Sequence, residues 1–200
     1  MTNNANNADI LLAGGTPTSS DTASPNHAWR VRGSSSNGWS GTRQLFSGAR
    51  FNAPTTGYSD ISISFDILPT DGSPRHAQMQ YTLDGTNFVS FGALLDFNPL
   101  NDRWNNGVMF NLASVAGAGD NPNFGFQIVS AFSPVAFTNA NGLQAPNTAF
   151  QRANAGPQIY TGGAGNYRFD SVTFSGTLIP APTTAAVLGM VGLVGLRRRR

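Results

Sequence analysis

The chain has 200 residues, 12 basic and 10 acidic, and no cysteine. That length allows one domain of ordinary size plus a tail, and the missing cysteine excludes disulfides and thiolate metal sites. Every base is Arg and every acid is Asp, the charged fraction is only 11%, and 23 Gly and 12 Pro favour turns and strands over helices. Four of the arginines end the chain. Without them eight Arg face ten Asp, a balance of −2. The body is therefore mildly acidic and carries no basic stripe for nucleic acid.

Residues 1–27, with Pro17 and Pro25, read as a loop-rich arm with one short strand around Asp9–Leu12. The arm has no basic n-region, and Ile10-Leu11-Leu12-Ala13 is too short for the apolar core of an export signal. An outward-facing domain therefore predicts a signal upstream of Met1. Ala28–Arg32 alternates and reads as a strand. A Ser/Gly/Asn loop carrying Trp39 follows, then a strand within Leu45–Asn52. In Tyr58–Leu68, Ile61, Ile63, Phe65 and Ile67 alternate with Ser62, Ser64 and Asp66, giving one buried and one wet face.

Gln78–Leu83 alternates too and runs into Asp84-Gly85, which predicts a two-residue type I′ hairpin with Phe88–Phe91 returning. Asp96–Asn106 reads as a polar loop carrying Trp104, and Val108–Leu112 as a strand. Asn123–Phe132 follows the turn at 117–122, with Phe124, Phe126, Ile128 and Phe132 on one face. A long loop spans Ser133–Gly165, and Tyr167–Leu178 is the last strand. No segment before Ala185 has helical periodicity. The pattern predicts an all-β chain, an antiparallel β-sandwich of the jelly-roll kind over 28–178, followed by a C-terminal hydrophobic helix.

The last 22 residues, 179–200, differ in kind. Pro180-Ala181-Pro182 and two threonines precede an apolar run over 185–196, and Arg197, Arg198, Arg199 and Arg200 end the chain. The run is short beside the ~20 residues of a typical membrane span, and length alone also allows a buried helix. The four arginines favour a membrane helix whose C-terminal end is held in the cytoplasm, with the body outside.

This order of parts resembles the C-terminal sorting signal of the PEP-CTERM family, the substrates of exosortases. In that family a Pro-Glu-Pro motif precedes a transmembrane helix and an Arg-rich tail. Pro180, Pro182, the apolar run and Arg197 to Arg200 match, and Ala181 stands where the motif has Glu. The resemblance covers about a tenth of the chain. It implies an exosortase-type membrane protease as partner, cleavage near the motif, and delivery to the cell envelope, the extracellular surface or an exopolysaccharide. A plain membrane anchor is the alternative.

The body resembles the jelly-roll domains common in secreted bacterial surface proteins. The carrying residues are Trp29–Gly33, Tyr81–Phe88, Asn123–Val129 and Arg168–Val172. The resemblance implies an architecture, one that serves both carbohydrate binding and surface spacing.

Residue chemistry points away from catalysis. No G-x-S-x-G elbow is present, and His27 and His76 are scattered and expected at the surface. Without Glu, a glycosidase pair would need two Asp, and most Asp lie in turns. Trp39 and Trp104 are candidate platforms for glycan stacking, or caps on the core edge. Asp170 is the candidate metal residue. Placing Val172 and Phe174 on the core face puts Asp170 there too, while Tyr167 and Phe169 point away. The strand must then bulge near Asp170 or be covered on both faces. A carboxylate so placed needs an arginine (Arg30, Arg32 or Arg168), backbone hydrogen bonds, or a structural calcium. The expected function is a non-catalytic surface or matrix protein, structural or adhesive, and the alternative is a carbohydrate-binding module.

Overall fold

The computed structural model describes residues 4–8, 19–21, 27–31, 44–97, 102–134, 150–153 and 165–180. Within them are nine strands: β1 Asn4–Ala8, β2 His27–Val31, β3 Gly48–Asn52, β4 Tyr58–Pro69, β5 His76–Thr82, β6 Val89–Asp96, β7 Asn105–Asn111, β8 Gly125–Ala131 and β9 Tyr167–Leu178. They form two antiparallel sheets, ordered β1-β2-β9-β4-β7 and β3-β8-β5-β6. The strand expected at 9–12 and the helix expected at 185–196 lie outside the described residues.

The two sheets meet across one core. Ile61, Ile63, Phe65 and Ile67 of β4 point inward, as their spacing predicts, and meet Met79 of β5 and Phe126 and Ile128 of β8. Aromatic rings tie the layers together. Phe65 lies between Phe110 and Phe126 at centroid distances of 6.2 and 6.1 Å. Phe51 of β3 stacks on Phe126 at 4.8 Å and meets Phe169 of β9 edge-on at 5.6 Å. Each such pair adds about 0.5–1.5 kcal/mol beyond the area it buries.

Strand ends shift from their expected places for local reasons. β3 starts at Gly48, because Leu45 takes a left-handed φ of 58° that no strand continues through. β6 runs on to Asp96, since a bulge at Gly92 (φ 71°) absorbs the irregularity instead of ending the strand. The turn at Asp84-Gly85 is longer than two residues. Thr82 ends β5, Val89 opens β6, and only Gly85 has positive φ, so the turn is not type I′. The Asp84 carboxylate organises it, accepting from the Asn87 and Thr86 amides at 2.7 and 2.8 Å and from the Asn87 side chain at 2.6 Å. These bonds, the Asn87 amide first, hold its carboxyl well below the usual carboxylate range.

His76 is not at the surface as expected: only 3% of it is exposed. It opens β5 opposite Asp96 and Ala131. Its Nε2 stands 3.8 Å from Asp96, whose two carboxylate oxygens are gripped by Arg75 at 2.6 Å each. Burial lowers the imidazole from 6.5 to about 4, Asp96 pulls it up, and Arg75 pushes it down. The unfolded chain therefore takes up this proton at higher pH than the folded one. His76 contributes a stability that is complete above pH 6.5 and is lost as pH falls through the window from 6.5 to about 4. Urea midpoints of wild type should fall between pH 7 and pH 4.5, and His76→Gln should flatten that fall. Equal acid sensitivity in both proteins would contradict the assignment.

Candidate functional site

The interior strand β4, flanked by β9 and β7, carries an acidic residue, Asp66, where its outer face should meet water. Asp66 is instead 1% exposed. Both neighbouring strands bulge at this row. On β9, Ser64 pairs Thr173 and Asp66 pairs Asp170, so β9 holds one extra residue, and Ser171 takes φ 50°. On β7, Phe65 pairs Val108 and Ile67 pairs Asn105, again one residue too many, with Gly107 at φ 67°. A bulge frees backbone groups from the ladder and re-aims side chains. Here the freed amides turn to carboxylates: Gly107 N–H donates to Asp66 Oδ1 at 2.8 Å, and Ser171 N–H to Asp170 Oδ1 at 2.7 Å.

The bulge expected near Asp170 is thus present at Ser171. It explains how Tyr167 and Phe169 enter the core while Val172 and Phe174, on the opposite phase, pack against it as well. Asp170 consequently lies on the outer face, directly opposite Asp66, and not on the core face.

The other two carboxylate oxygens are taken by the N-terminal arm. Ser20 gives both its N–H and its hydroxyl to Asp66 Oδ2, at 2.5 and 2.6 Å, and the Ser19 hydroxyl donates to Asp170 Oδ2. The Ser20 and Ser171 hydroxyls meet at 3.3 Å. Like charges set opposite one another in a sheet repel, and these donors offset that cost. Of the partners expected for Asp170, the hydrogen bonds are the ones formed. Arg168 directs its Nε to Asn166 at 3.2 Å, and Arg32 lies outside the described residues.

This donor set does not fit calcium. The cation needs oxygen ligands with free lone pairs, about six to eight of them. Only two carboxylates meet here, and each of their four oxygens already accepts a hydrogen bond from an N–H or O–H. Among the described residues no group of three or more His, Cys, Asp or Glu is placed to hold a metal. The arrangement acts as a clamp that holds the arm to the sheet.

The remaining expected site residues scatter. Trp104 is 5% exposed and packs with Ala28 and Leu68 on the outer face of the five-stranded sheet. So buried against Leu68, Trp104 offers no open face to a sugar, which removes the stacking alternative and leaves that of a cap. Trp39 lies outside the described residues. Pro180 is the last described residue; Ala181, Pro182 and Arg197 to Arg200 lie beyond it. Among the described residues no helix is long and apolar enough to cross a membrane. His27 is exposed on β2, in the sheet opposite His76. Sequence reasoning missed Asp66, Ser19 and Ser20. The one available signal was Asp66 itself, a carboxylate in a face otherwise made of serines.

No family model, curated protein or solved structure matches this chain. The geometry must therefore speak for itself. Asp66→Ala removes the acceptor of the Gly107 and Ser20 amides; both residues are exposed, so water can replace it and each bond lost costs about 0.5–1.5 kcal/mol. Chemical denaturation should register that loss, and the wild-type melting temperature should be the same in excess chelator and in millimolar calcium. A rise with calcium that Asp66→Ala or Asp170→Asn abolishes would reinstate the metal.

Proposed function

We propose that this chain is a non-catalytic extracellular surface or matrix protein, a jelly-roll β-sandwich sorted by a PEP-CTERM-like tail. The strand order supports the jelly-roll reading: β2-β9-β4-β7, with β1 added at its edge, faces β3-β8-β5-β6, and from β2 to β9 successive strands cross between the layers except from β5 to β6. Closed hydrogen bonding around Asp66 and Asp170, with the two histidines in opposite sheets, supports a structural role over catalysis.

The observation that carries the sorting reading is the end of the folded body. β9 is a central strand, held between β2 and β4. Its pairing closes where Ile179 N–H donates to Gly57 C=O at 2.8 Å. Pro180, the first residue of the Pro-Ala-Pro motif, comes next. The described pairing of β9 thus ends immediately before the motif, where the sorting reading puts the boundary between body and tail. On this reading the tail engages the membrane and an exosortase-type protease, with the body outside and the arginines inside before processing.

Protease added to intact cells with a permeabilised outer envelope should digest the body. Mass spectrometry of the mature protein should place its new C-terminus within Pro180 to Thr184. A protected body would contradict the topology, and a retained tail beside an active exosortase would leave a plain anchor.

A further inference from the structure

A cleft of about 460 Å³ opens between the start of β4 and the end of β9. That volume lies within the ~300–1,000 Å³ range of small-ligand sites. Its floor is apolar: Ile61 belongs to the core, and Phe174 packs on Phe126 at 5.2 Å and on Phe124 at 6.4 Å. One wall is the ring of Tyr58, 45% exposed, and the rim adds Pro54, Thr55 and Ser175. No lining residue is charged.

The walls are held in place before any ligand arrives. The 54–58 turn is fixed by Tyr58 N–H to Thr55 C=O at 2.9 Å, Asp120 N–H to Tyr58 C=O at 2.8 Å and Thr55 Oγ1 to Ala118 C=O at 2.6 Å. Gly57 N–H donates to Asp120 Oδ1 at 2.9 Å. The opposite wall sits close because Gly176 has no side chain: a Cβ there would stand 2.9 Å from Ser59 O and 3.2 Å from Tyr58 Cβ. A rigid site loses little ordering entropy on binding.

We propose that this cleft binds a neutral saccharide. The chemistry is that of a ligand with an apolar C–H face and hydroxyls around its edge. The electron-rich faces of Tyr58 and Phe174 attract the C–H groups. Tyr58, 45% exposed, brings a hydroxyl of its own to the cleft wall, where a sugar hydroxyl would meet it. A purely aliphatic ligand would desolvate that hydroxyl without return, and the absence of charge in the lining disfavours an anionic one. The proposal goes beyond the sorting reading and does not depend on it, since binding is measured on purified protein.

The test is calorimetric titration of the full chain with short neutral oligosaccharides of glucose, mannose and galactose, and with an oligouronate as the charged counterpart. Wild type should bind at least one neutral oligosaccharide. Tyr58→Ala should weaken that binding by at least about tenfold, and Tyr58→Phe should keep most of it. NMR chemical-shift mapping on the wild type should place the bound saccharide at Tyr58, Ile61 and Phe174, so a folding defect in Tyr58→Ala leaves the test intact. No neutral binding at millimolar ligand, binding of the oligouronate alone, or neutral binding that shifts none of these residues would overturn the proposal.

Discussion

Asp66 sits on an interior strand of a five-stranded sheet with 1% of its surface exposed, and a carboxylate so placed is costly unless donors reach both oxygens. A regular ladder would leave few amides free for that purpose, because flanking strands spend theirs on β4. The bulge at Gly107 supplies one. The bulge at Ser171 supplies another, to the cross-strand neighbour Asp170. Ser19 and Ser20 complete both carboxylates from a segment far away in sequence. Two bulges, one central strand and the N-terminal arm are therefore linked through a single pair of side chains.

The same bulge serves the inner side of the sheet. Tyr167 and Phe169 face the core, and one residue inserted at Ser171 resets the alternation so that Val172 and Phe174 face it too. Without the insertion, one aromatic pair would point to solvent, since the side-chain period of a strand is two. Phe174 then reaches Phe126 across the layers and forms the floor of the cleft beside Tyr58. The clamp on the outer face and the cleft on the inner edge thus share one backbone irregularity. Ser171 accepts a left-handed conformation to provide it, a strain that its surroundings must hold in place.

Much of this was legible in the residues. The alternation of Ile61, Ile63, Phe65 and Ile67 located β4 and its inner face, and the mismatched phases within 167–174 predicted either a bulge near Asp170 or cover on both faces of the strand. What covers the outer face was not legible. Asp66 reads as wet because alternation speaks only of the strand itself, and its cover, Ser19 and Ser20, comes from 46 residues upstream of the pair's central strand. Trp104 reads as an exposed loop ring for the same reason: Leu68, which it covers, sits on a face that the pattern assigns to solvent. His76 follows a proline and an arginine in a turn-rich stretch, and its burial depends on which strands flank β5, which is a matter of topology. The cleft had no local signal, because its two rings lie 116 positions apart in sequence and meet only through the β4–β9 pairing.

If the clamp organises the sheet, its amides should exchange slowly with solvent although they belong to no strand ladder. Amide hydrogen exchange of the full chain, followed by NMR, reads this directly. Gly107 and Ser20 should be protected in wild type, and in Asp66→Ala both should lose protection while Ile63 and Phe126 keep theirs. Rapid exchange of Gly107 and Ser20 in the wild-type protein would contradict the account.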